Sequence, residues 1–471
     1  MAYDAHPGIT PSRPVQSVDI AIIGAGPAGM AAAIAARRHG ASVALFDEQP
    51  ATGGQIYRGI TQVTSARLDI LGPDYGEGAT LASSFATSGA RHLAGAAVWQ
   101  VTSERLVHFL QEGRVQSLQA NAVLLCTGAM ERPFPIPGWT LPGVLTAGAA
   151  QIMLKGSGMA PTSPAVLAGC GPLLYLLGWQ YVRAGVPIAA IVDTTDGGDY
   201  RRAIRHVAGA LAGWQYLKKG LELMATLKKA GVPFYKGATN LHVLGKDSAT
   251  GIGFESGGMS RTIDTSLVLL HQGVVPNTQF SWSLRAGHIW DEVQLCWSPV
   301  TSKWGELDVP GVYVAGDGGG IGGARVAALQ GEISGLAAAA QCGHLPLATR
   351  DQLAAPLRAD IRKNLSIRPF LDALYQPKKA NRVPADGTIV CRCEEVTAGD
   401  IRSYVELGCT GPNQAKSFGR CGMGPCQGRQ CGLTVTEVIA DARGVPPTEI
   451  GYFRIRPPIK PITLGELARE A

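Results

Sequence analysis

The feature that most constrains this sequence is a glycine-rich turn between a short strand and a helix. The β-branched run at residues 18–23 ends at Gly24, and the turn Gly24-Ala25-Gly26-Pro27-Ala28-Gly29 leads into an Ala-rich, helix-favouring segment at 30–39. A second predicted strand, 41–46, ends at Asp47. Strand, glycine turn, helix and strand in this order predict the β-turn-α-β unit that binds a dinucleotide.

The residues of the turn have separate tasks in such a unit. Gly24 permits the tight bend, Gly26 lets backbone N–H groups approach a pyrophosphate, and Gly29 lets the helix pack closely on the strand. Pro27 and Ala28 begin the helix, whose N-terminus adds partial positive charge. We therefore expect the pyrophosphate of a dinucleotide at this turn.

An acidic residue completes the fingerprint. Asp47 stands at the end of the second strand, close to the position where the fingerprint places its acidic residue, and Glu48 follows it. This spacing predicts that Asp47 accepts hydrogen bonds from the adenosine ribose hydroxyls.

A second unit of the same kind begins with a strand at 165–168. The turn Gly169-Cys170-Gly171-Pro172-Leu173-Leu174, an apolar helix and a strand at 187–192 ending at Asp193 follow. Leu174 occupies the position of the third glycine and would push helix and strand apart. An occupied and a vestigial site are equally compatible with this pattern. If a nucleotide binds, Asp193 favours NAD or an adenine nucleotide over NADP.

Length and late strands suggest the domain plan. A chain of 471 residues predicts two or three domains. Further strands are expected at 122–125, 266–271 and 312–315. The expected division is an α/β domain of residues 18–150 and 275–345 that binds the first dinucleotide, a second nucleotide-binding-type domain of 160–274, a helical linker of 346–385, a cysteine domain of 386–445 and an extended tail of 446–471.

Composition excludes several classes of protein. The net charge of +6 is not gathered into a Lys/Arg block, which argues against nucleic acid as a partner. Residues 1–18 lack a continuous apolar stretch, so no secretory signal is predicted. The uncharged run 156–182 contains three prolines and several glycines, which favour a strand-turn-helix over a membrane span. We expect a cytoplasmic enzyme with at most peripheral membrane contact.

The cysteines predict a metal site. Six of the ten lie between positions 391 and 431, and a cytosolic chain with such clustering favours metal over disulfides. Cys391 and Cys393 form a C-x-C pair, and Cys426 and Cys431 form a distant C-x4-C pair. Four thiolates hold either a 2Fe-2S cluster or a structural zinc, and nearby Cys421 is able to replace one ligand. The fold class predicted is α/β with a small C-terminal helical domain, in which a 2Fe-2S cluster is favoured over structural zinc and over a degenerate module without metal.

Three later segments resemble landmarks of flavoproteins with two dinucleotide-binding domains, the disulfide-reductase-like class. Gly53-Gly54-Gln55 resembles the segment that passes along the flavin, and Thr127-Gly128 resembles the strand-end turn. Residues 311–317 resemble the second FAD motif, whose aspartate binds the ribityl chain, a role that carries to Asp317. The resemblance implies FAD. Its expected binding residues are Gly24, Gly26, Pro27, Ala28, Gly29, Asp47, Glu48, Gly54, Gln55, Val98, Thr127, Gly128, Gly316 and Asp317.

These motifs, with residues 127–139, 273–277 and the module 391–431, resemble one family across nearly the whole chain. It is the FAD-containing alpha subunit of opine oxidases, D-hydroxyproline and proline dehydrogenases and hydrogen cyanide synthase. The C-x-C start also resembles the bacterioferritin-associated-ferredoxin type of 2Fe-2S domain, although its second pair is usually closer than C-x4-C. The Arg-Pro-Pro-Ile-Lys-Pro tail sets the chain apart from thioredoxin reductases.

The resemblance implies a division of labour. A D-amino-acid-oxidase-like flavoprotein, the beta subunit, removes hydride from the amine substrate, and this chain relays electrons through flavin and cluster to a non-oxygen acceptor. Relatives also have an FMN at the alpha/beta interface and a small ferredoxin-like gamma subunit. The FAD part contains no Cys-x-x-Cys pair, so dithiol chemistry is not proposed, and no catalytic residue is assigned. The alternatives are an NAD(P)H-dependent flavin/iron-sulfur reductase and a structural scaffold subunit with zinc.

A basic segment and one histidine complete the candidates. Residues 201–229 carry seven Lys or Arg against Glu222 as the single acid, which indicates a solvated face or a docking surface for an acidic partner. His271 precedes Gly273, but a lone histidine is more often structural, and we give it no role.

Overall fold

The computed structural model describes residues 16–469. Most of the segment in which no secretory signal is predicted, and the last two positions of the predicted tail, therefore lie outside the described residues. The described strands are β1 (Gln16–Ile23), β2 (Val43–Asp47), β3 (Arg91–Ala94), β4 (Ala97–Val101), β5 (Leu106–Gln111), β6 (Arg114–Leu125), β7 (Ala129–Glu131), β8 (Val144–Thr146), β9 (Ala165–Cys170), β10 (Ile188–Asp193), β11 (Phe234–Lys236), β12 (Thr239–Gly245), β13 (Ala249–Ser256), β14 (Met259–Asp264), β15 (Leu267–Gln272), β16 (Val274–Pro276), β17 (His288–Asp291), β18 (Cys296–Pro299), β19 (Val312–Val314), β20 (Ile389–Cys391) and β21 (Val396–Thr397).

The helices alternate with the strands in the first part of the chain and dominate the last part. They are α1 (Pro27–Arg38), α2 (Ser65–Leu71), α3 (Pro73–Ala86), α4 (Ala147–Ser157), α5 (Pro172–Arg183), α6 (Gly197–Ala203), α7 (Val207–Ala212), α8 (Trp214–Lys229), α9 (Gln279–Ser283), α10 (Ala324–Gln341), α11 (Leu347–Leu365), α12 (Arg368–Leu374), α13 (Lys379–Arg382), α14 (Ala398–Glu406), α15 (Pro412–Gly419), α16 (Gly432–Arg443), α17 (Pro447–Ile450) and α18 (Leu464–Leu467).

The first sheet places the glycine turn at its centre. Its strand order is β3-β2-β1-β6-β5-β4, and β19 also pairs with β6. Strands β2 and β6 flank β1 in parallel, with Ile23 opposite both Phe46 and Leu125. The turn therefore has parallel strands on both sides, and the carboxyl ends of these strands form the crevice where ligands bind in such sheets.

Two glycines of α10 explain how this helix packs on α1. A Cβ on Gly331 would lie 2.0 Å from the carbonyl oxygen of Ala28, and one on Gly335 would lie 2.5 Å from that of Ala32. Any larger residue would separate the helices. The strand and helix predicted around the first fingerprint are confirmed as β1, α1 and β2.

The second sheet has the order β11-β10-β9-β15-β8, and its pairs are all parallel. Its strands β9 and β10 and helix α5 confirm the predicted second unit. A smaller antiparallel sheet, β12-β13-β14, packs beside it. The uncharged run at 156–182 contains β9 and most of α5, as expected. Within residues 16–469 no helix is long and apolar enough to cross a membrane.

The cysteine-rich part is joined to the rest by its core and by the tail. Its buried residues Val390 and Val435 belong to the same apolar cluster as Val123 and Leu125 of the first sheet. Arg382 of α13 forms an ion pair with Glu437 of α16, both largely buried. In the tail, the Ile459 N–H donates to the carbonyl oxygen of Trp99 at 3.0 Å. These contacts hold the cysteine-rich part against the first sheet.

Candidate functional site

A cavity of about 420 Å³ opens at the carboxyl edge of the first sheet, and we call it the turn cavity. Thirteen of the fourteen residues expected to bind a dinucleotide line it. They are Gly24, Gly26, Pro27, Ala28, Asp47, Glu48, Gly54, Gln55, Val98, Thr127, Gly128, Gly316 and Asp317. Residues distant in sequence thus meet around one space.

Gly29, the remaining member, lies beneath the turn. A Cβ there would be 1.9 Å from the carbonyl oxygen of Gly24, so its absence lets the helix approach the strand. Gly24 itself has φ +107°, and a Cβ on it would lie 2.3 Å from the carbonyl oxygen of Cys126. Gly26 differs, because a Cβ on it would meet nothing closer than the Gly54 Cα, at 3.8 Å. Two glycines shape the turn, and Gly26 keeps it open toward the cavity.

Asp47 has a task that its spacing did not reveal. One of its carboxylate oxygens accepts from the Ala25 N–H at 2.7 Å and the other from the Gln49 N–H at 2.8 Å. The side chain therefore braces the glycine turn. Its neighbour Glu48 forms an ion pair with Lys460 of the tail, which also lines the turn cavity.

Asp317 and Thr127 also line the turn cavity. The Asp317 Oδ1 accepts from the N–H groups of Gly322 and Gly323 at 2.8 and 2.9 Å, which fixes the loop before α10. The Thr127 hydroxyl donates to the carbonyl oxygen of Asn277 at 3.0 Å. Both residues are held by backbone groups, so their positions beside the cavity are set before any ligand enters.

The turn cavity is also lined by charged residues that the sequence analysis did not assign to the site. Arg58, Glu131 and Lys155 line it together with Gln55 and Gln151. His271, to which the sequence assigned no role, lies with Nδ1 2.8 Å from Glu131 Oε2. The signal available in the sequence was a pair of polar residues four positions apart, Gln151 and Lys155, on the buried face of α4.

The second glycine turn faces a smaller crevice of about 160 Å³, here called the second crevice, lined by Gly171, Arg368 and Tyr375. Asp193 is completely buried, and its carboxylate accepts from the Tyr175 hydroxyl at 2.5 Å and the Thr195 N–H at 2.8 Å. It is therefore bound inside the protein rather than presented to a ribose. Leu174, in place of the third glycine, is also fully buried.

A lysine fastens the helical linker beside this crevice, in a contact that we call the linker latch. Lys378 Nζ lies 2.7 Å from Asp196 and 2.6 Å from Asp199. The hydrogen bond from Lys378 lowers the pKa of Asp196. Burial alone would lower the pKa of Lys378, but its hydrogen bonds to the two carboxylates outweigh burial and raise it.

The linker latch gives a pH-dependent prediction. Because the folded-state pKa of Asp196 is depressed, its contribution to stability is present above its ordinary pKa of about 4 and is lost as the pH falls through the folded value. In Lys378→Met this depression is reduced, so the free energy of unfolding is expected to fall less steeply between about pH 5 and 3 than in the wild type. Denaturant unfolding at several pH values measures the slope. Equal slopes would contradict the role of the latch.

In the C-terminal part, the thiols of Cys391, Cys421 and Cys431 lie within 4.8 Å of one another, and all three residues are buried. Hydrogen bonds with Cys421 and Cys431 lower the pKa of Cys391. Cys393 is exposed, and desolvation together with the charge of the neighbouring Cys426 raises its pKa. The four predicted ligands therefore do not form the tightest group, because Cys421 takes a place beside Cys391 and Cys431.

Phe453 of the tail explains why the cysteine loop folds back. The ring is fully buried, and a Cβ on Gly422 or Gly428 would lie 2.4 or 2.7 Å from it. Both glycines have positive φ, so the loop turns tightly around the ring on each side. Arg429, between Cys426 and Cys431, reaches the lining of the turn cavity. The cysteine loop thus contributes one side chain to the lining of the turn cavity.

Comparison with protein families gives two matches that agree with this geometry. Residues 18–156 match the model described as pyridine nucleotide-disulphide oxidoreductase, and residues 386–470 match the sarcosine oxidase A3 domain. The first range contains the glycine turn with β2 and α1. The second contains all the clustered cysteines and most of the tail.

Curated relatives match nearly the whole chain. The opine oxidase A chain of Agrobacterium tumefaciens (strain Ach5) is 44% identical over 460 residues, which cover 96% of this chain and 91% of the relative. The hydrogen cyanide synthase subunit HcnB of Pseudomonas protegens is 31% identical over 461 residues, covering 95% of this chain and 96% of the relative. Neither similarity is thus confined to the nucleotide-binding part.

A solved structure shares the fold. L-proline dehydrogenase from P. horikoshii superposes with a TM-score of 0.70 at 19% identity, covering 99% of this chain and 82% of that one. The mixed α/β, disulfide-reductase-like architecture is thus shared beyond the range of close sequence similarity. On the strength of its identity to the opine oxidase A chain over almost its full length, the protein belongs to that family of flavoprotein oxidoreductase subunits.

Proposed function

We propose that this chain is the FAD-containing alpha subunit of a multisubunit amine or amino-acid dehydrogenase of the opine, D-hydroxyproline or proline type. In this proposal a D-amino-acid-oxidase-like beta subunit oxidises the substrate, and the chain passes the electrons through FAD and a 2Fe-2S cluster to a non-oxygen acceptor. The observation that carries the proposal is the adjacency of the two sites, because Arg429 of the cysteine loop lines the turn cavity.

The turn cavity fits FAD in several respects. Backbone N–H groups around Gly26 and the N-terminus of α1 suit a pyrophosphate. We propose Asp47 and Glu48 for the adenosine ribose, because each Asp47 oxygen accepts one backbone N–H and has a further lone pair, and both side chains line the cavity. Asp317 has one carboxylate oxygen engaged by the loop and lines the cavity, which suits the ribityl chain.

The cysteine group fits a metal centre. Thiolates are the ligands of both 2Fe-2S clusters and structural zinc, and the buried group of three thiols has the exposed Cys393 and the half-buried Cys426 beside it. When bound, FAD accepts electrons in pairs and releases them singly, which matches the one-electron capacity of a 2Fe-2S cluster. The protein contributes by placing Arg429 of the cysteine loop in the lining of the turn cavity.

The expected domains remain part of the proposal. Residues 18–150 with 275–345 would hold the FAD, 160–274 would form the second domain, 346–385 the linker, 386–445 the cluster domain and 446–471 the tail. The first sheet supports the first assignment and the second sheet supports the second, except that β8, which the expected bounds give to the first domain, pairs with β15 of the second sheet. All ten cysteines are free, which suits a cytoplasmic location, where thiols stay reduced.

The test separates relay from substrate oxidation. The chain is produced alone and together with its partner flavoprotein, and dye reduction is measured with opines, hydroxyproline, proline and glycine. We expect activity from the complex and none from the isolated chain. Full activity of the isolated chain would contradict the relay. The polypeptides and cofactors of the purified complex show whether an interface FMN and a ferredoxin-like gamma subunit are present.

An NAD(P)H-dependent reductase is the second candidate. The buried, internally bonded Asp193 and the linker latch count against a nucleotide in the second crevice. Rapid, saturable bleaching of the flavin by NADH would favour the reductase.

The third candidate, a zinc scaffold, predicts a colourless protein with one zinc and no iron.

A further inference from the structure

The residues that line the turn cavity fall into two groups by their contacts. Glu48, which follows β2, pairs with Lys460 of the tail, whereas Lys155 of α4 donates to the carbonyl oxygen of Gln55. A dinucleotide with its adenosine beside Glu48 and its pyrophosphate at the glycine turn would place its redox ring beside the second group. The residues of that group, Gln55, Arg58, Glu131, Gln151 and Lys155, are called the ring end, and they are the ones that would face the flavin.

Lys155 is the buried lysine of the ring end. It lies on α4, is 2% exposed and lines the cavity. Its Nζ donates to the Gln151 Oε1 at 2.8 Å and to the carbonyl oxygen of Gln55 at 3.4 Å. Both acceptors are neutral, whereas an ammonium group has three N–H donors and a full positive charge.

A chain of amides fixes the lysine. Gln151 Nε2 donates to the Gln180 Oε1 at 2.9 Å, and Gln180 Nε2 donates to the carbonyl oxygen of Leu71 at 3.1 Å. Each amide has its nitrogen directed away from the lysine, so the Gln151 oxygen faces Lys155. The network joins α4, α5 and the end of α2, and it leaves the ammonium group little freedom.

The positive charge has no carboxylate partner among the described residues. Glu131, the acid of the ring end, already accepts from the Gly148 N–H at 2.5 Å and lies 2.8 Å from His271. Arg58 is a second cation, and its buried Nε has no hydrogen-bond partner within the described chain. Burial, reinforced by Arg58, lowers the pKa of Lys155 to about 7.

Such a residue is costly unless a ligand uses its charge. An unpaired buried ammonium destabilises a fold, and an apolar side chain of similar length would fill the same space. The unpaired Arg58 Nε independently indicates an acceptor missing from the ring end. Reduction of a flavin by two electrons and one proton adds one negative charge to its ring, and a nearby positive charge favours that form.

We propose that Lys155 sets the reduction potential of the flavin by holding a positive charge at the ring end, so that the flavin readily accepts an electron pair from the partner subunit. This inference rests on the proposed FAD site. The amides of Gln151 and Gln180 orient the ammonium group, while the charge itself comes from Lys155.

The experiment compares Lys155→Met with Lys155→Arg in the purified flavoprotein, and Lys218→Met, which changes an exposed lysine of α8, is the matched control. Flavin content is measured first, and the ratio of reduced to oxidised flavin is then measured against indicator dyes at fixed potential. At about pH 6, below the pKa of Lys155, the ratio in Lys155→Met is expected to fall at least tenfold, which is about 30 mV for a two-electron couple. In Lys155→Arg and Lys218→Met the ratio of reduced to oxidised flavin is expected to stay near the wild-type value.

The outcomes separate this inference from the proposed function. A wild-type protein without FAD overturns the proposed function. If Lys155→Met binds flavin and its ratio of reduced to oxidised flavin is unchanged, the role of Lys155 is overturned while the proposed function stands. If Lys155→Met loses its flavin, the neutral, hydrogen-bonding Lys155→Gln replaces it in the measurement. Loss of flavin from both neutral variants overturns redox tuning in favour of a structural role.

Discussion

Gly26→Val is expected to yield a folded protein that has lost its flavin. Gly26 has an ordinary extended backbone, and a Cβ on it would have no neighbour closer than 3.8 Å, so the fold tolerates the side chain. The isopropyl group enters the turn cavity where a pyrophosphate needs close contact with backbone N–H groups. Losing one or two of these charged hydrogen bonds, at about 1.5–3 kcal/mol each, weakens FAD binding by roughly tenfold to ten-thousandfold.

Gly24→Val is the companion variant and fails differently. A Cβ at Gly24 meets the Cys126 carbonyl oxygen at 2.3 Å, and φ is +107°. We expect loss of at least about 1–3 kcal/mol of folding stability together with the flavin. Flavin absorbance per chain and thermal unfolding distinguish the two variants. Gly220→Ala is the control, because a Cβ at this position of α8 meets nothing within 4 Å. This variant should keep its flavin and gain about 0.5–1 kcal/mol of folding stability, since alanine favours a helix more than glycine does. Full flavin content in Gly26→Val would contradict the site.

Replacing Cys391 or Cys431 by serine is expected to remove the metal centre. Both thiols are buried in the group of three, and a serine hydroxyl is a poor substitute for a thiolate ligand. The loss of metal affinity should exceed the roughly 10- to 100-fold that removal of an outer-shell partner costs. Iron, zinc and sulfide analysis with visible absorbance measures the result. Cys409→Ser is the control, because that buried thiol donates to the Gly411 carbonyl oxygen and lies outside the group.

Cys421→Ser decides the ligand set. If the cluster survives this change, the four cysteines predicted from the spacing, Cys391, Cys393, Cys426 and Cys431, hold it. If the cluster is lost, Cys421 is a ligand and one of Cys393 and Cys426 is dispensable. A full metal content in Cys391→Ser would contradict both ligand sets.

Local sequence predicted the units of the fold well. The order of strand, glycine turn and helix around Gly24 depends on interactions between near neighbours, and the structure confirms β1, α1 and β2. The strand and helix at 165–183 were predicted for the same reason, although the run is apolar almost throughout. The period of the apolar residues and the turn residues suffice to predict an element whose contacts are local.

The use of individual polar side chains was harder to predict. Asp47 has the spacing of a ribose ligand, but its partners, the N–H groups of Ala25 and Gln49, become visible only when β2 lies beside the turn. Asp193 is engaged in the same way by Tyr175. Lys155 belongs to no motif, because its partner Gln55 meets it only when α4 packs beside the cavity.

The sequence by itself determined the glycine turns, their strands and helices, the thiol-rich module and the family resemblance, since each is encoded by short spacings. The tertiary structure decided which distant groups meet. Phe453 of the tail folds the cysteine loop so that Cys421 joins Cys391 and Cys431. The same loop brings Arg429 to the turn cavity. Such contacts depend on packing between segments far apart in the chain, which no local spacing records.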